Sequence, residues 1–374
     1  MLTVSLENPV RIGIIGCGNI SAAYLKTFQN YAAVTTVAVA DIDIARAEAR
    51  AAEFGVPKAT SVDGLLSDPD VEIVVNLTTP QAHYAITLAA IKAGKHVYNE
   101  KPLTVTIAEA REALDAAEAA GVRVGCAPGT FLGGGLQTCR QLIDEGAIGR
   151  PVAATAFMLC HGHESWHPDP EFYYKIGGGP MMDMGPYYLT ALISLLGGIK
   201  TVSGAAAITE PERTITSQPK NGTKIDVETP DHVAGTIQFQ NGAIGTIITS
   251  FAIWHAGYPN IQIFGTEGTL TVPDPNSLRG PIYVQRVGES ERREVPLTHN
   301  NSEGDRWGIG VVDLAYAIRS GRPHRASGAL AFQVLSAMHG FLDSAKDGQA
   351  RQINGAPERP APLPSSLPDG ELDA

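Results

Sequence analysis

The chain is short of positive charge, of long apolar runs and of paired cysteines, and each shortage closes a class of function. Its 374 residues carry 28 lysines and arginines against 39 aspartates and glutamates, for a formal net charge of −11. A surface of that sign repels a phosphate backbone, so no nucleic-acid partner is expected. No apolar stretch approaches the roughly 18 residues that a spanning helix needs, so no membrane partner is expected either. The opening MLTVSLENPVRIGIIGCG lacks a charged segment followed by a cleavable apolar one, and a cytoplasmic protein is expected. The cysteines, Cys17, Cys126, Cys139 and Cys160, show no CxxC spacing, which reads as buried thiols rather than a disulfide framework.

What is present is enough apolar material, 44% of residues, to fill two cores. Apolar runs at 10–16, 34–41, 71–77 and 96–99 alternate with helical stretches near 82–93 and 106–120, and VRVGC follows. Strands separated by helices of that length make βαβ units and a parallel sheet. After about residue 150 the texture changes. PVAATAFML reads as a strand, and HVAGTIQFQNGAIGTIITSFAIW reads as a hairpin turning at Asn241-Gly242. Strands follow near 260–265, 268–272 and 281–287, then helices near 306–320 and 327–345. The expected fold is α/β: an N-terminal Rossmann dinucleotide-binding domain over 1–130, then an α+β domain with a large, mostly antiparallel open sheet over 131–350. Residues 351–374 are Pro-rich and acidic and read as an extended or mobile tail.

Where the first strand ends stands Gly16-Cys17-Gly18-Asn19-Ile20-Ser21, a GxGxxG pattern with serine in the third small position. Gly16 permits the tight turn, Gly18 lets the backbone approach a pyrophosphate, and the phosphates rest on the helix N-terminus. The plain alternative is a glycine turn that carries no nucleotide. Asp41 at the end of the second strand favours the dinucleotide. Its carboxylate accepts hydrogen bonds from a ribose diol and repels a 2′-phosphate. Ile42 follows it where an arginine would otherwise receive that phosphate, so NAD is expected over NADP.

The stretch Thr78 to Leu103, with TPxxxH and then AGKHVxxEKP, resembles the Gfo/Idh/MocA oxidoreductases, named for glucose–fructose oxidoreductase and inositol dehydrogenase. FGTEGTLTVPDP and GRPHRASGAL resemble that family's second domain, so the likeness covers roughly residues 10–345. It implies that Glu100 lies on the cofactor side, that Lys101 is catalytic, and that Pro102 is a proline often held cis. It also implies that Thr78, Pro80 and His83 line the nicotinamide half of the cleft. Lys101 has a physical case of its own. A lysine starts near a pKa of about 10.4, which burial and a neighbouring cation lower. Even while charged, its ammonium holds a substrate oxygen and stabilises developing alkoxide charge. The alternative is an exposed lysine at a strand end.

In GGGPMMDMGPYY the glycines 177–179, Asp183 and Gly185 match the family's GGG-x-x-x-D-x-G-x-H, but Tyr187 replaces the histidine. The resemblance then implies the glucose–fructose oxidoreductase and dihydrodiol/xylose dehydrogenase branches, where a phenol is the acid/base and the Asp meets substrate. Asp183 and Tyr187 share one helical face, and Pro186 suits a first helical turn. Alternatively Asp183 caps the helix and Tyr187 packs. His163-Glu164-Ser165-Trp166-His167 matches the zinc signature HExxH, which requires both histidines on one continuous helix. Pro168 pushes His167 out of helical conformation, so no metal is expected and a zinc hydrolase is the remote third reading. The segment reads instead as a loop over the substrate, with Trp166 stacking on a sugar and His163 binding hydroxyls. His161 and His163 share a face if the preceding strand continues. Many members of the family carry arginine where this chain has Gly129-Thr130-Phe131, which favours a neutral substrate.

The expected activity is NAD-dependent oxidation of a secondary alcohol or hemiacetal of a sugar, cyclitol or glycoside. Lys101 and Tyr187 share proton transfer, and Asp183 orients a hydroxyl. A non-catalytic NAD- and sugar-binding regulator is the runner-up. The family's habit of pairing sheet faces implies a homodimer or homotetramer.

Overall fold

The computed structural model describes residues 8–373 apart from 303, 305, 356, 357, 366 and 369. The chain forms two compact units. The first takes Met1–Thr138, Leu297–Phe332 and Pro360–Ala374, and the second takes Cys139–Pro296 and Gln333–Arg359. Each unit therefore draws on discontinuous segments, where the composition had suggested one cut near residue 130.

The first unit is built on six parallel strands: β1 (Val10–Ile15), β2 (Val34–Ala40), β3 (Ala59–Thr60), β4 (Ile73–Asn76), β5 (His96–Asn99) and β6 (Val124–Cys126), in the order β3-β2-β1-β4-β5-β6. The short apolar runs are buried almost end to end, as a parallel sheet covered on both faces demands. The connecting helices are α1 (Asn19–Phe28), α2 (Ile44–Phe54), α3 (Val62–Leu66), α4 (Pro80–Lys92) and α5 (Ile107–Ala120). Their ends follow local chemistry. Asp43 accepts from the Ala45 amide to cap α2, and Thr106 and Glu109 form a reciprocal capping box on α5. Strand order reverses between β1 and β4, which places a ligand crevice at the carboxyl ends of these strands. Helix α8 (Ile309–Ser320) belongs to the same unit.

Part of the C-terminal segment, expected to be extended or mobile, packs on this unit. Leu363 and Leu372 are buried, and Asp373 pairs with Arg325 at 2.6 Å. Its composition is that of a free tail, but its sparse leucines find apolar cover and Arg325 holds the end. Residues 351–352 form strand β17, hydrogen-bonded into the second sheet.

The second unit carries nine strands in the order β16-β15-β14-β13-β7-β12-β11-β8-β17. Their ranges are β7 (Pro151–Leu159), β8 (Ile199–Ala207), β11 (His232–Phe239), β12 (Ile244–Ser250), β13 (Ile261–Gly265), β14 (Gly268–Val272), β15 (Ile282–Arg286) and β16 (Arg293–Val295). Only β7 and β12 run parallel; the other pairs are antiparallel. The Asn241-Gly242 hairpin is as expected, with Asn241 Oδ1 accepting from the Ala243 amide. A small side hairpin pairs β9 (Glu212–Thr214) with β10 (Lys224–Asp226). Along β11 and β12 burial alternates, so one sheet face is covered and the other open. The covered face lies under α7 (Gly179–Leu196) and α9 (Gly328–Asp347), while α6 (Gly134–Asp144) links the two units. Among the described residues no helix is long and apolar enough to cross a membrane.

Candidate active site

The candidate cofactor site lies within the first unit, at the carboxyl ends of β1, β2, β4 and β5. Gly16 adopts φ +101°, and a side chain there would come within 2.6 Å of Leu77 O. Gly18 differs. Its φ is an ordinary −72° and an added Cβ would meet nothing within 4 Å, so the fold itself does not require glycine there. Gly18 is the N-cap of α1, whose start has no side-chain cap, and Gly18 and Asn19 are exposed, with Ile20 half-buried behind them. Uncapped N–H groups beside a missing side chain form a cradle for a diphosphate. Arg50 adds a cation to its rim, donating to Gly18 O at 3.2 Å.

Asp41 Oδ2 accepts from the Cys17 amide at 2.7 Å, and Oδ1 accepts from Asp43 N at 3.0 Å. These two bonds fix the carboxylate beside the glycine loop with lone pairs to spare for a diol. Ile42 is fully exposed, so no side chain at that position bears on Asp41. Burial, with Asp41 nearby, pushes the Cys17 thiol up to about 11 and keeps it inert.

A polar network lies at the ends of β4 and β5, just before Lys101. Asn76 donates to Asn99 Oδ1 at 2.9 Å, Thr78 donates to Asn76 Oδ1 at 2.7 Å, and Thr87 bridges Asn99 and His83 O. Pro80 opens α4 in its first turn. His83 is fully buried, with Nδ1 2.7 Å from Pro102 O and Nε2 3.1 Å from Thr78 O. Its ring therefore ties the Thr78 loop to the cis Lys101–Pro102 peptide. Glu100 accepts from Tyr24 at 2.7 Å and from the Lys101 amide at 3.0 Å, and Lys101 itself is half-buried. Asn76 and Asn99 escaped the sequence reading. A polar residue ending each apolar strand, VVN and VYN, was the signal.

A second cluster of candidate residues lies within the second unit. Helix α7 begins at Gly179, so Asp183 and Tyr187 lie inside it on one face, and Asp183 is not its cap. Pro180 occupies the first turn, and Pro186 sits within the helix, where it removes one backbone hydrogen bond. The preceding glycines admit close backbone: a side chain at Gly178 would lie 2.5 Å from Phe172 O. Tyr187 is 8% exposed, and the Asp183 side chain 15%.

The loop from Cys160 to Ile176 brings His163 to Asp183, with Nε2 3.3 Å from Oδ2. The strand stops at Leu159, and Gly162 at φ +74° turns the chain. His161 and His163 therefore part company, against the expectation of a shared face. His161 stacks on Trp254 with ring centroids 3.3 Å apart, while His163 packs against Trp166, Tyr173 and Phe251. Trp166 and Trp254 are 61% and 71% exposed and give the unit aromatic faces. Trp254 was not anticipated.

HExxH is a turn here, not a helix: the amides of Trp166 and His167 both donate to His163 O. Glu164 accepts from Arg213 at 3.1 Å and from the Tyr174 hydroxyl, so it is not disposed as a zinc-site base. Among the described residues no group of three His, Cys, Asp or Glu is placed to hold a metal.

Residues 10–127 match the family described as "Oxidoreductase family, NAD-binding Rossmann fold", and residues 136–271 match the GFO/IDH/MocA C-terminal domain. The chain is 33% identical over 266 residues to 1,5-anhydro-D-fructose reductase of Ensifer adhaerens, covering 70% of this chain and 74% of that one. It is 30% identical over 304 residues to D-glucoside 3-dehydrogenase of Escherichia coli K12, covering 77% and 83%. Among solved structures, an NAD-binding oxidoreductase from Klebsiella pneumoniae superposes with a TM-score of 0.82 at 26% identity, over 92% of this chain and 99% of the other.

Proposed function

Because the chain belongs to the Gfo/Idh/MocA family of oxidoreductases, we propose that it is an NAD-dependent dehydrogenase acting on a secondary alcohol or hemiacetal carbon of a sugar, cyclitol or glycoside. The observation that carries the reading is Lys101, half-buried just past the end of β5, with its amide on Glu100 and the following cis Pro102 tied to His83, in the unit that bears the glycine loop. Two relatives named for an anhydro-sugar and a glucoside support a saccharide substrate.

In this proposal Gly16, Gly18, Asn19 and Ile20 receive the diphosphate of NAD, and Asp41 receives the adenosine ribose and disfavours NADP. Thr78, Pro80, His83 and Glu100 shape the nicotinamide end. Bound NAD supplies the hydride acceptor. Lys101 binds the reacting oxygen and stabilises charge on it, and it shares removal of the hydroxyl proton with Tyr187. Asp183 orients a neighbouring hydroxyl, Trp166 stacks on the sugar face, and His163 serves the same subsite. Pairing through the open face of the nine-stranded sheet gives a homodimer or homotetramer, which light scattering on the purified protein counts.

The test is NAD reduction against a panel of methyl glucosides, free aldoses and myo-inositol, with 1,5-anhydro-D-fructose and NADH in the reverse direction. Lys101→Ala lowers kcat/KM by about 10³-fold while NADH still binds. Near-wild-type turnover in that variant sinks the catalytic assignment. A wild-type chain that binds NADH and a sugar but turns over neither is a regulator instead.

A further inference from the structure

The imidazole of His163 has a single polar anchor. A carboxylate only accepts, so the contact with Asp183 Oδ2 places the ring proton on Nε2. Nδ1 is buried with no hydrogen-bond partner among the described residues, inside a box made by Trp166, Tyr173 and Phe251. With no hydrogen bond at Nδ1 to steer the ring, its aim depends on where the backbone at 163–164 is held.

That backbone is clamped by side chains distant in sequence. The Tyr174 hydroxyl accepts from the His163 amide at 3.2 Å and donates to the Glu164 carboxylate. Arg213, on the β9–β10 hairpin, binds Glu164 at 3.1 Å, Asp231 at 3.0 Å and Phe251 O at 3.0 Å. The carbonyl of Glu164 accepts from the amides of Thr216 and Ser217 on that hairpin. Arg213 and Asp231 side chains are 1% exposed and Glu164 8%. A planar guanidinium that holds two carboxylates and a carbonyl at once fixes all three in direction.

We propose that Arg213, through Glu164 and Tyr174, is a positioning residue for this candidate substrate site, holding His163 against Asp183 so that the carboxylate presents a fixed face to a sugar hydroxyl. The proposal rests on the reading that Asp183 meets substrate. It makes His163 a support that acts through Asp183, and it gives the side hairpin a part in the chemistry.

Histidine-selective ¹⁵N spectra of the full chain read the ring proton without any need for turnover. In the wild type the His163 signal, identified by its disappearance in His163→Phe, is that of a ring locked as the Nε2–H form, a form that the contacts of His96, His299 and His324 also require of those rings. In Tyr174→Phe, which keeps the Arg213–Glu164 pair and so the fold, and in Arg213→Lys, that signal moves to an average of the two tautomers. With the best sugar of the panel, kcat falls about tenfold in both variants while the KM for NAD is unchanged. An unmoved His163 signal and unchanged kcat in both overturn the clamp. Wild-type sugar turnover in His163→Phe overturns the clamp as well, whereas wild-type turnover in Asp183→Asn sinks the separate reading of Asp183 as a substrate residue.

Discussion

Two buried histidines, one in each unit, are held in opposite ways. His83 sits in the first unit with both ring nitrogens against backbone carbonyls, one of them Pro102 O, next to Lys101. His163 sits in the second unit with one nitrogen on a carboxylate and aromatic rings around the other. In the first unit the imidazole thus ties together backbone carbonyls at the ends of neighbouring strands, beside the Asn76–Asn99 side-chain network. The cluster in the second unit is built from side chains gathered over 49 residues between Glu164 and Arg213 and 20 between His163 and Asp183. A site framed by backbone suffers when a side chain is added. A cluster of side chains suffers when one is removed.

The glycine pair tests the first statement with the largest expected effect. Gly16→Ala forces a side chain into positive φ and against Leu77 O, for a loss of about 2–4 kcal/mol in unfolding free energy. Gly18→Ala meets open space at ordinary φ and changes stability by less than about 0.5 kcal/mol. Its NADH dissociation constant nonetheless rises about tenfold, because the added methyl occupies the diphosphate's approach. Urea melts and NADH fluorescence titration measure the two effects. Unchanged NADH affinity in Gly18→Ala removes the cradle from the site.

The same contrast explains what could be read from residues alone. Strand–helix alternation, the glycine loop, Asp41 and the 183/187 spacing are local patterns, and all lie in the expected elements. The start of α7 was harder, because glycines and Pro180 carry no apolar period, and interior Pro186 mimicked a first turn. Arg213 was illegible. Nothing within ten residues of it announces a partner at Glu164 or Asp231, and only the fold brings three ionic side chains into one buried cluster. The docked tail escaped for a similar reason, since its hold is Asp373 on Arg325 and isolated leucines.

His83→Phe set beside His163→Phe sharpens the comparison at intermediate size. A neutral imidazole has one N–H for two carbonyls, and the 2.7 Å contact to Pro102 O takes it. Loss of that bond leaves a buried carbonyl unsatisfied and costs about 1–3 kcal/mol, with kcat reduced as the Lys101–Pro102 segment loosens. His163→Phe keeps its aromatic box and costs less than about 1 kcal/mol in stability, its effect falling on sugar turnover. If the two variants lose equal stability, the distinction between a histidine held by backbone and one held by side chains does not hold.

The smallest effect is in acid, and it too separates the units. His83, His96, His299 and His324 of the first unit all titrate below the ordinary imidazole value of 6.5, because burial disfavours their charged form. In the second unit His167 is lowered too, again from burial first. A histidine with a depressed folded value binds fewer protons folded than unfolded. Its contribution to stability is therefore complete above pH 6.5 and is lost as pH falls through that value toward the folded one. With four such groups in it, the first unit is expected to loosen in acid ahead of the second. Hydrogen exchange at pH 7 and pH 5.5, corrected for intrinsic rates, reads this directly. Protection in β4, β5 and β6 is expected to drop more than in β11 and β12. In His83→Phe the difference narrows, because one of the four protonation sites is gone. An equal drop in both sheets, or a larger one in the second, would show that the buried imidazoles of the first unit do not govern its response to acid.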